Sequence, residues 1–464
     1  MTLKCRYILI IFIAFLTACG TTPQSAEMTK VQNTALAMAR TGVVLSQTAM
    51  PTATLPFPTF SHTPTPLPKF SLDNLRMAYI VDGNVYIQNG SSQPIKLTNS
   101  REDSSPIFSD DGEKIVFYRG KLNDNNNVYS INSNEGLEQE LITNDWLAKL
   151  GAGTKIGPLM FIPGTHHLLF NTYLCPNENS LVGLFLVDTD TGKIEELLKP
   201  ALGRYLPWGG NTGWHGNFSV SPDGRLLSVA ISGHIDILSI DGKIVRRNIM
   251  TYTRSTPIEL FPRQYWLPNS NELIISLPTK TNFGRGYEGI PIYTVWRYSL
   301  ENAIATQIPF EPSPKWTYME CGDIAYPSPN GNWIVYERKE SLYVGNLSDG
   351  HVQSYALNNI DYCLPILWNT ESTHFIYGRY KEKFLGTVNN LPIPIDNIFF
   401  LGWVDTNRYI YYIQSKNNNK AERDVLVGEL IEKPVLIYES DIFLPKDIDP
   451  YSFTFVVLAH KVEK

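Results

Sequence analysis

The chain has 464 residues, 43% of them hydrophobic, 12% aromatic and 18% charged, with 39 basic against 45 acidic side chains and a formal charge of −6. No basic stripe runs along it, and the balance argues against a nucleic-acid partner and against attraction to lipid headgroups.

At the start, Lys4 and Arg6 precede the apolar run Tyr7 to Leu16. That run is too short to span a bilayer as a mature helix and reads as a secretory signal. It leads into Leu16-Thr17-Ala18-Cys19-Gly20, which looks like a bacterial lipobox. Residues 1–18 are therefore expected to leave as a lipoprotein signal peptide, with the Cys19 sulfur carrying diacylglycerol. Loss of Lys4 and Arg6 leaves 37 basic against 45 acidic residues, a formal −8. The expected place is the bacterial cell envelope, lipid-anchored on the extracytoplasmic side of a membrane, with the anchor as the membrane contact.

Residues 19–70 read as a stalk. Within them 51–68 (PTATLPFPTFSHTPTPLP) holds six prolines in eighteen residues and cannot be helix. Pro-Thr alternation favours polyproline II, which at about 3.1 Å per residue holds whatever follows roughly 50 Å from the lipid.

From 71 to 464 the pattern is strand and turn to the end, so one repeat domain is expected. Three segments are nearly the same sentence: SPIFSDDGEKIVFY at 105–118, FSVSPDGRLLSVA at 218–230 and IAYPSPNGNWIVYE at 324–337. In Ser221-Pro222-Asp223-Gly224, Pro presets φ at the first turn centre, Asp suits the second, and Gly takes the left-handed position that follows. Each segment is a hairpin. Taking that hairpin as the marker of an innermost strand, turns fall at Asp110-Gly112, Pro163-His166, Pro222-Gly224, Pro268-Asn271, Pro329-Gly331, Asn369-Ser372 and Asp405-Asn407. Their spacing, about 36 to 60 residues, suits propeller blades. An eighth blade is half visible at 75–98, which lacks an innermost strand, and the apolar run Ser452 to Leu458 is left over to supply one.

The expectation is an all-β chain, a β-propeller of about eight four-stranded blades closed by pairing of N- and C-terminal strands. Seven blades is the alternative if 361–396 is not a separate one. The three repeats resemble TolB-like propellers, whose repeat runs roughly P-x-[FW]-S-P-D-G-x-x-[IL]-[AV]-[FY], over about 73–458. The resemblance implies the fold and a general mode of action as an envelope interaction protein. No separate N-terminal α/β domain is seen, so a TolB-type system role is not implied.

In such a blade the first-to-second and third-to-fourth turns open on one face, and the second-to-third loops and blade crossings on the other. The first set here is short. The second includes long stretches at 119–127, 171–181, 278–292 and 415–424, and crossings at 144–156, 199–216, 250–262 and 311–321. Length variation on a rigid scaffold marks that face as the functional one. Its crossings hold the candidate ligand-binding residues Trp146, Tyr205, Trp208, Trp214, His215, Trp316 and Tyr318. Such aromatics either stack on a glycan or grip a peptide, or else plug the channel and prop the loops. Gly209, Gly210 and Gly213 mark the loop of Trp208 and Trp214 as open.

Cys321 and Cys363 precede neighbouring innermost strands at similar offsets and form a candidate disulfide, two reduced thiols being the alternative. No G-x-S-x-G, H-E-x-x-H or phosphate-loop motif occurs, and no cofactor or metal is expected. His166 and His167 read as turn histidines, and Asp188 to Gly192 as a strand-connecting turn. The function expected is a monomeric binding or scaffolding module for a protein or glycan, displayed from the membrane. The alternative is a glycan- or peptide-active enzyme at the channel mouth, with Glu320, Asp323 and Asp361 as its carboxylates.

Overall fold

The computed structural model describes residues 74–457 except 91, 121–126, 152–153, 175–180, 203–217, 232, 253–261, 281–291, 313–324, 339–340, 357–365, 380–381, 389–392, 397, 415–422, 431–433 and 436–452. The chain divides into two compact units, Met1–Pro68 and Lys69–Lys464. The signal peptide, Cys19 and the whole of the stalk lie outside the described residues, as do most of the candidate aromatics.

The second unit is a propeller of eight four-stranded antiparallel sheets. Blade 2 runs outward through Asp103–Phe108, Lys114–Arg119, Asn127–Asn132 and Glu138–Ile142. Blade 3 runs through Thr154–Phe161, His167–Leu174, Leu181–Asp188 and Ile194–Leu202. Blades 4 to 8 begin with Phe218–Val220, Arg263–Trp266, Ala325–Pro327, Leu367–Trp368 and Ile398–Trp403. Segment 361–396 contributes a full sheet of its own, which excludes the seven-bladed alternative.

Blade 1 is assembled from both ends of the unit. Its Leu75–Val81, Asn84–Asn89 and Ile95–Lys96 are completed by Phe453–Val457, paired from Leu75 with Val457 to Tyr79 with Phe453. The pairing removes the two edges that a linear array would leave open. The Phe455 ring lies over Gly402 of blade 8, where an added Cβ would come within 2.5 Å of it. Glycine is needed there for space, and the contact joins blade 8 to blade 1.

All seven sequence-marked turns join an innermost strand to its neighbour, at 109–113, 162–166, 221–225, 267–271, 328–332, 369–373 and 404–407. The repeated Ser explains why. Ser221 Oγ donates to Asp223 Oδ1 at 2.6 Å and accepts from Leu226 N at 2.9 Å, while Asp223 Oδ1 accepts from Arg225 N. Ser109 with Asp111, and Ser328 with Asn330, repeat the arrangement. Gly112, Gly224 and Gly331 follow with φ of 69°, 71° and 71°, a region that favours glycine.

The core lies between the blades rather than within them. Val116, Val128 and Ile142 of blade 2 pack with Phe161, Phe170 and Phe185 of blade 3, and comparable clusters fill the other seams from blade 1 to blade 8 among the described residues. The innermost strands are also tied. Trp266, Trp368 and Trp403 each donate an indole N–H to a carbonyl of the preceding blade's innermost strand, at Ser219, Tyr326 and Leu367. Those tryptophans brace successive blades.

Candidate functional site

The two faces differ as the sequence suggests. On one, the first-to-second turns are five residues long in six blades and four in blade 8. On the other, the crossings 143–153, 203–217, 252–262, 309–324 and 436–452 are long. Second-to-third connections are long only in blades 2, 3, 5 and 8, at 120–126, 175–180, 281–291 and 415–422; in blades 1, 4, 6 and 7 they are two residues in length.

The short-turn face is knitted from blade to blade. Asp223 N donates to Ser270 Oγ of the next blade, and Asn330 N to Ser372 Oγ. Gly164 N donates to Asp110 Oδ2 at 2.9 Å, and Asn369 Nδ2 to the Thr406 carbonyl at 2.7 Å. These groups hold the ring together, and their hydrogen-bonding capacity is committed to it.

The densest charged cluster on that face joins blades 2 and 3. His166, in the first turn of blade 3, reaches Asp111 Oδ2 of blade 2 through Nε2 and Asp190 Oδ2 of its own blade through Nδ1, both at 2.9 Å. Lys114 Nζ holds the other Asp190 oxygen at 2.7 Å. The ring is aimed by its backbone: Thr189, fully buried, donates its hydroxyl and its N–H to the His166 carbonyl, and Ser130 of blade 2 donates to Thr189 O.

Burial opposes charge on His166, but the hydrogen bonds to Asp190 and Asp111 outweigh it and raise its pKa above the ordinary 6.5. The Lys114 and His166 contacts hold Asp190 below the usual carboxylate value despite partial burial. Asp111 is opposed by burial too, yet Ser109, the Glu113 N–H and His166 lower it. Donor atoms of Asp111, Glu113 and His166 come within 4.8 Å of one another. Each ring nitrogen already faces a carboxylate oxygen at 2.9 Å, one on each blade, so the arrangement bridges the two blades. Asp188 to Gly192 is a turn, with Asp188 Oδ1 accepting from Asp190 N and Thr191 N and Gly192 at φ 72°.

Of the candidate ligand-binding residues, Trp146 is described. It sits in the single described helix, α1 (Asn144–Lys149), whose N-cap Thr143 hydroxyl accepts from Trp146 N at 3.0 Å. Its indole packs edge-on against Phe185 at 5.0 Å and Phe170 at 5.8 Å, propping the blade 2–3 seam beneath the crossing. Tyr205, Trp208, Trp214 and His215 fall in 203–217, and Trp316, Tyr318, Glu320, Cys321 and Asp323 in 313–324. Asp361 and Cys363 fall in 357–365. All of these lie outside the described residues, so the candidate disulfide does too.

The His166 bridge is absent from the sequence reading, although aligned repeats carry a signal for it. His166 holds the place that Glu113, Arg225 and Asn332 hold after the other turns, beside the turn of the preceding blade.

No family model matches the chain, and no curated protein sequence matches it. Solved propeller structures are similar in fold. An oligogalacturonate lyase from Vibrio parahaemolyticus aligns with a TM-score of 0.42 and 14% identity over 63% of this chain and 79% of its own. The β-propeller domain of the Trilobed protease from Pyrococcus furiosus gives 0.40 and 12% over 71% and 94%. TolB from Acinetobacter baumannii gives 0.31 and 17% over 60% and 65%. At these identities the likeness concerns the fold alone.

Proposed function

We propose that the protein is a cell-envelope lipoprotein that presents its propeller as a binding or scaffolding module for a protein or glycan. In this reading Cys19 carries the lipid, residues 19–70 form the stalk, and the long-connection face engages the ligand. The observation that supports it most is the unequal use of the two faces. The short turns donate and accept hydrogen bonds among themselves across successive blades, whereas chain length accumulates on the other side.

Two experiments test it. Cys19→Ser is expected to move the protein from the membrane fraction to the soluble fraction and to abolish labelling by palmitate, with the circular dichroism of the propeller unchanged. Palmitate labelling that persists in the Ser variant refutes the anchor. For the binding face, Trp208→Ala and Trp214→Ala are each expected to weaken capture of partners from detergent-solubilised membranes, or of glycans on an array, by at least about thirtyfold, since buried aromatic anchors are worth about 2 kcal/mol or more. Lys193→Ala, on the short-turn face and 70% exposed, serves as the silent control. Binding lost in the Lys193 variant and kept in both Trp variants assigns the ligand to the wrong side of this reading.

A further inference from the structure

The His166 bridge has a geometry beyond what the ring needs. Other turn-to-turn links use neutral hydroxyls, amides or a single carboxylate. At the blade 2–3 seam, one imidazole stands between two carboxylates on different blades, each 2.9 Å from a ring nitrogen. A neutral imidazole has one N–H and satisfies one of the two as donor; only the imidazolium satisfies both. With one proton gone, a ring lone pair faces a carboxylate at hydrogen-bond distance, which is repulsive. The seam contact therefore has two states that differ by one proton.

We propose that His166 is a pH-operated latch across the seam between blades 2 and 3, closed when both ring nitrogens carry protons and released when one does not.

The surroundings decide the direction. From blade 2 the ring meets Asp111 and Glu113, with Asp110 engaged on Gly164 N and Lys114 engaged on Asp190. From blade 3 it meets Asp190, while Asp188 and His167, at the adjoining strand ends, face each other. Arg76 of blade 1 lies beyond, donating to the Gly112 carbonyl and feeling Glu113 and Asp111. Carboxylates outnumber cations at the ring, so its charged form is favoured. A histidine whose pKa rises on closing contributes stability that is complete below the unfolded value near 6.5 and is lost as pH climbs through the higher folded value. Asp111 and Asp190, both lowered, contribute above the unfolded value near 3.8 and lose it as pH falls through their lower folded values. All three contributions coexist from roughly pH 4 to 6.5. Both aspartate side chains are half exposed, so the latch is weakened by salt.

The seam it closes is the one that α1 and Trp146 prop at the opposite end, where the indole meets Phe170 and Phe185. Release loosens the short-turn end of blades 2 and 3, which Gly164 N on Asp110, Lys114 on Asp190 and Ser130 on the Thr189 carbonyl still tie, while the aromatic packing persists. The change is local opening, not unfolding.

The test uses the full-length chain in detergent. Exchange of the His166 Cε1 proton, followed by mass spectrometry from pH 4.5 to 9, is expected to give a pKa above 6.5 that falls in Asp190→Asn. Amide exchange of segments 105–118 and 163–172, corrected for its intrinsic pH dependence, is expected to lose about three- to tenfold of protection as pH passes through that pKa. Segment 324–337 is expected to hold its protection. His166→Gln is expected to make the first two segments insensitive to pH. A His166 pKa at or below 6.5, or flat protection in the unaltered protein, overturns the latch. Added Zn2+ is expected to change neither reading; zinc that restores protection at pH 8 in the unaltered protein but not in His166→Gln overturns it in favour of a metal site.

Discussion

Deleting the chain from Ile448 onward is expected to open the ring and send the protein into aggregates. The deletion removes Phe453–Val457, whose five residues pair with Leu75 to Tyr79, and the Phe455 ring that covers Gly402. Backbone hydrogen bonds contribute about 1 kcal/mol each, so the pairing alone is worth several kcal/mol against a typical total of about 5–15. The deletion also exposes the inner edge of Leu75–Val81 in blade 1, which is a template for pairing between molecules. Light scattering and thermal melting of the truncated chain check the expectation. A monomeric product with an unchanged melting temperature contradicts closure through the terminal strand.

Arg119→Met is expected to destabilise the propeller by about 3 kcal/mol. Asp103, with a fully buried side chain, accepts from Arg119 Nε at 2.6 Å and from the Thr98 hydroxyl, at the junction of blades 1 and 2. The guanidinium continues to Glu138 through two bonds of 2.5 and 2.8 Å and lies 4.3 Å over the Tyr129 ring. Methionine replaces the aliphatic stem but leaves the Asp103 carboxylate buried beside a single hydroxyl. Removing one partner of a buried ion pair costs far more than replacing both with apolar groups. The double variant Arg119→Met, Asp103→Leu is accordingly expected to recover most of the loss in denaturant titrations, and a single variant within 0.5 kcal/mol of the parent protein refutes the assignment.

The hairpins that define the blades were legible because their information is local. Ser, Asp and Gly at fixed offsets dictate a turn through contacts no more than five residues apart, as at Ser221, Asp223 and Leu226. Blade 7 was the hardest to place, and its structure shows the reason. Asn369 replaces the turn serine, its Oδ1 accepting from His374 N as Ser Oγ does elsewhere and from Thr373 N as the turn Asp does. Gly386 in its third strand makes room for the Phe375 ring, which an added Cβ would meet at 2.3 Å. Both substitutions weaken the sequence signal while preserving the sheet. The terminal clasp was legible as well, since an apolar strand remained after the last full blade.

Contacts between blades were not legible. His166 and Asp111 are 55 residues apart and Arg76 and Ser133 are 57 apart, and their meeting depends on the register of whole sheets. Trp146 illustrates the same limit. A tryptophan before an innermost strand left a ligand platform and a loop prop both open, and only the register of blades 2 and 3 shows its indole packed on Phe170 and Phe185.

The central functional claim is that the long-connection face binds while the short-turn face holds the ring. Hydrogen exchange on the complex captured from detergent-solubilised membranes tests it most directly. New protection confined to the crossings 203–217 and 309–324, with turns 109–113, 162–166 and 221–225 unchanged, is the predicted result. Protection gained at those turns and absent from the crossings contradicts it.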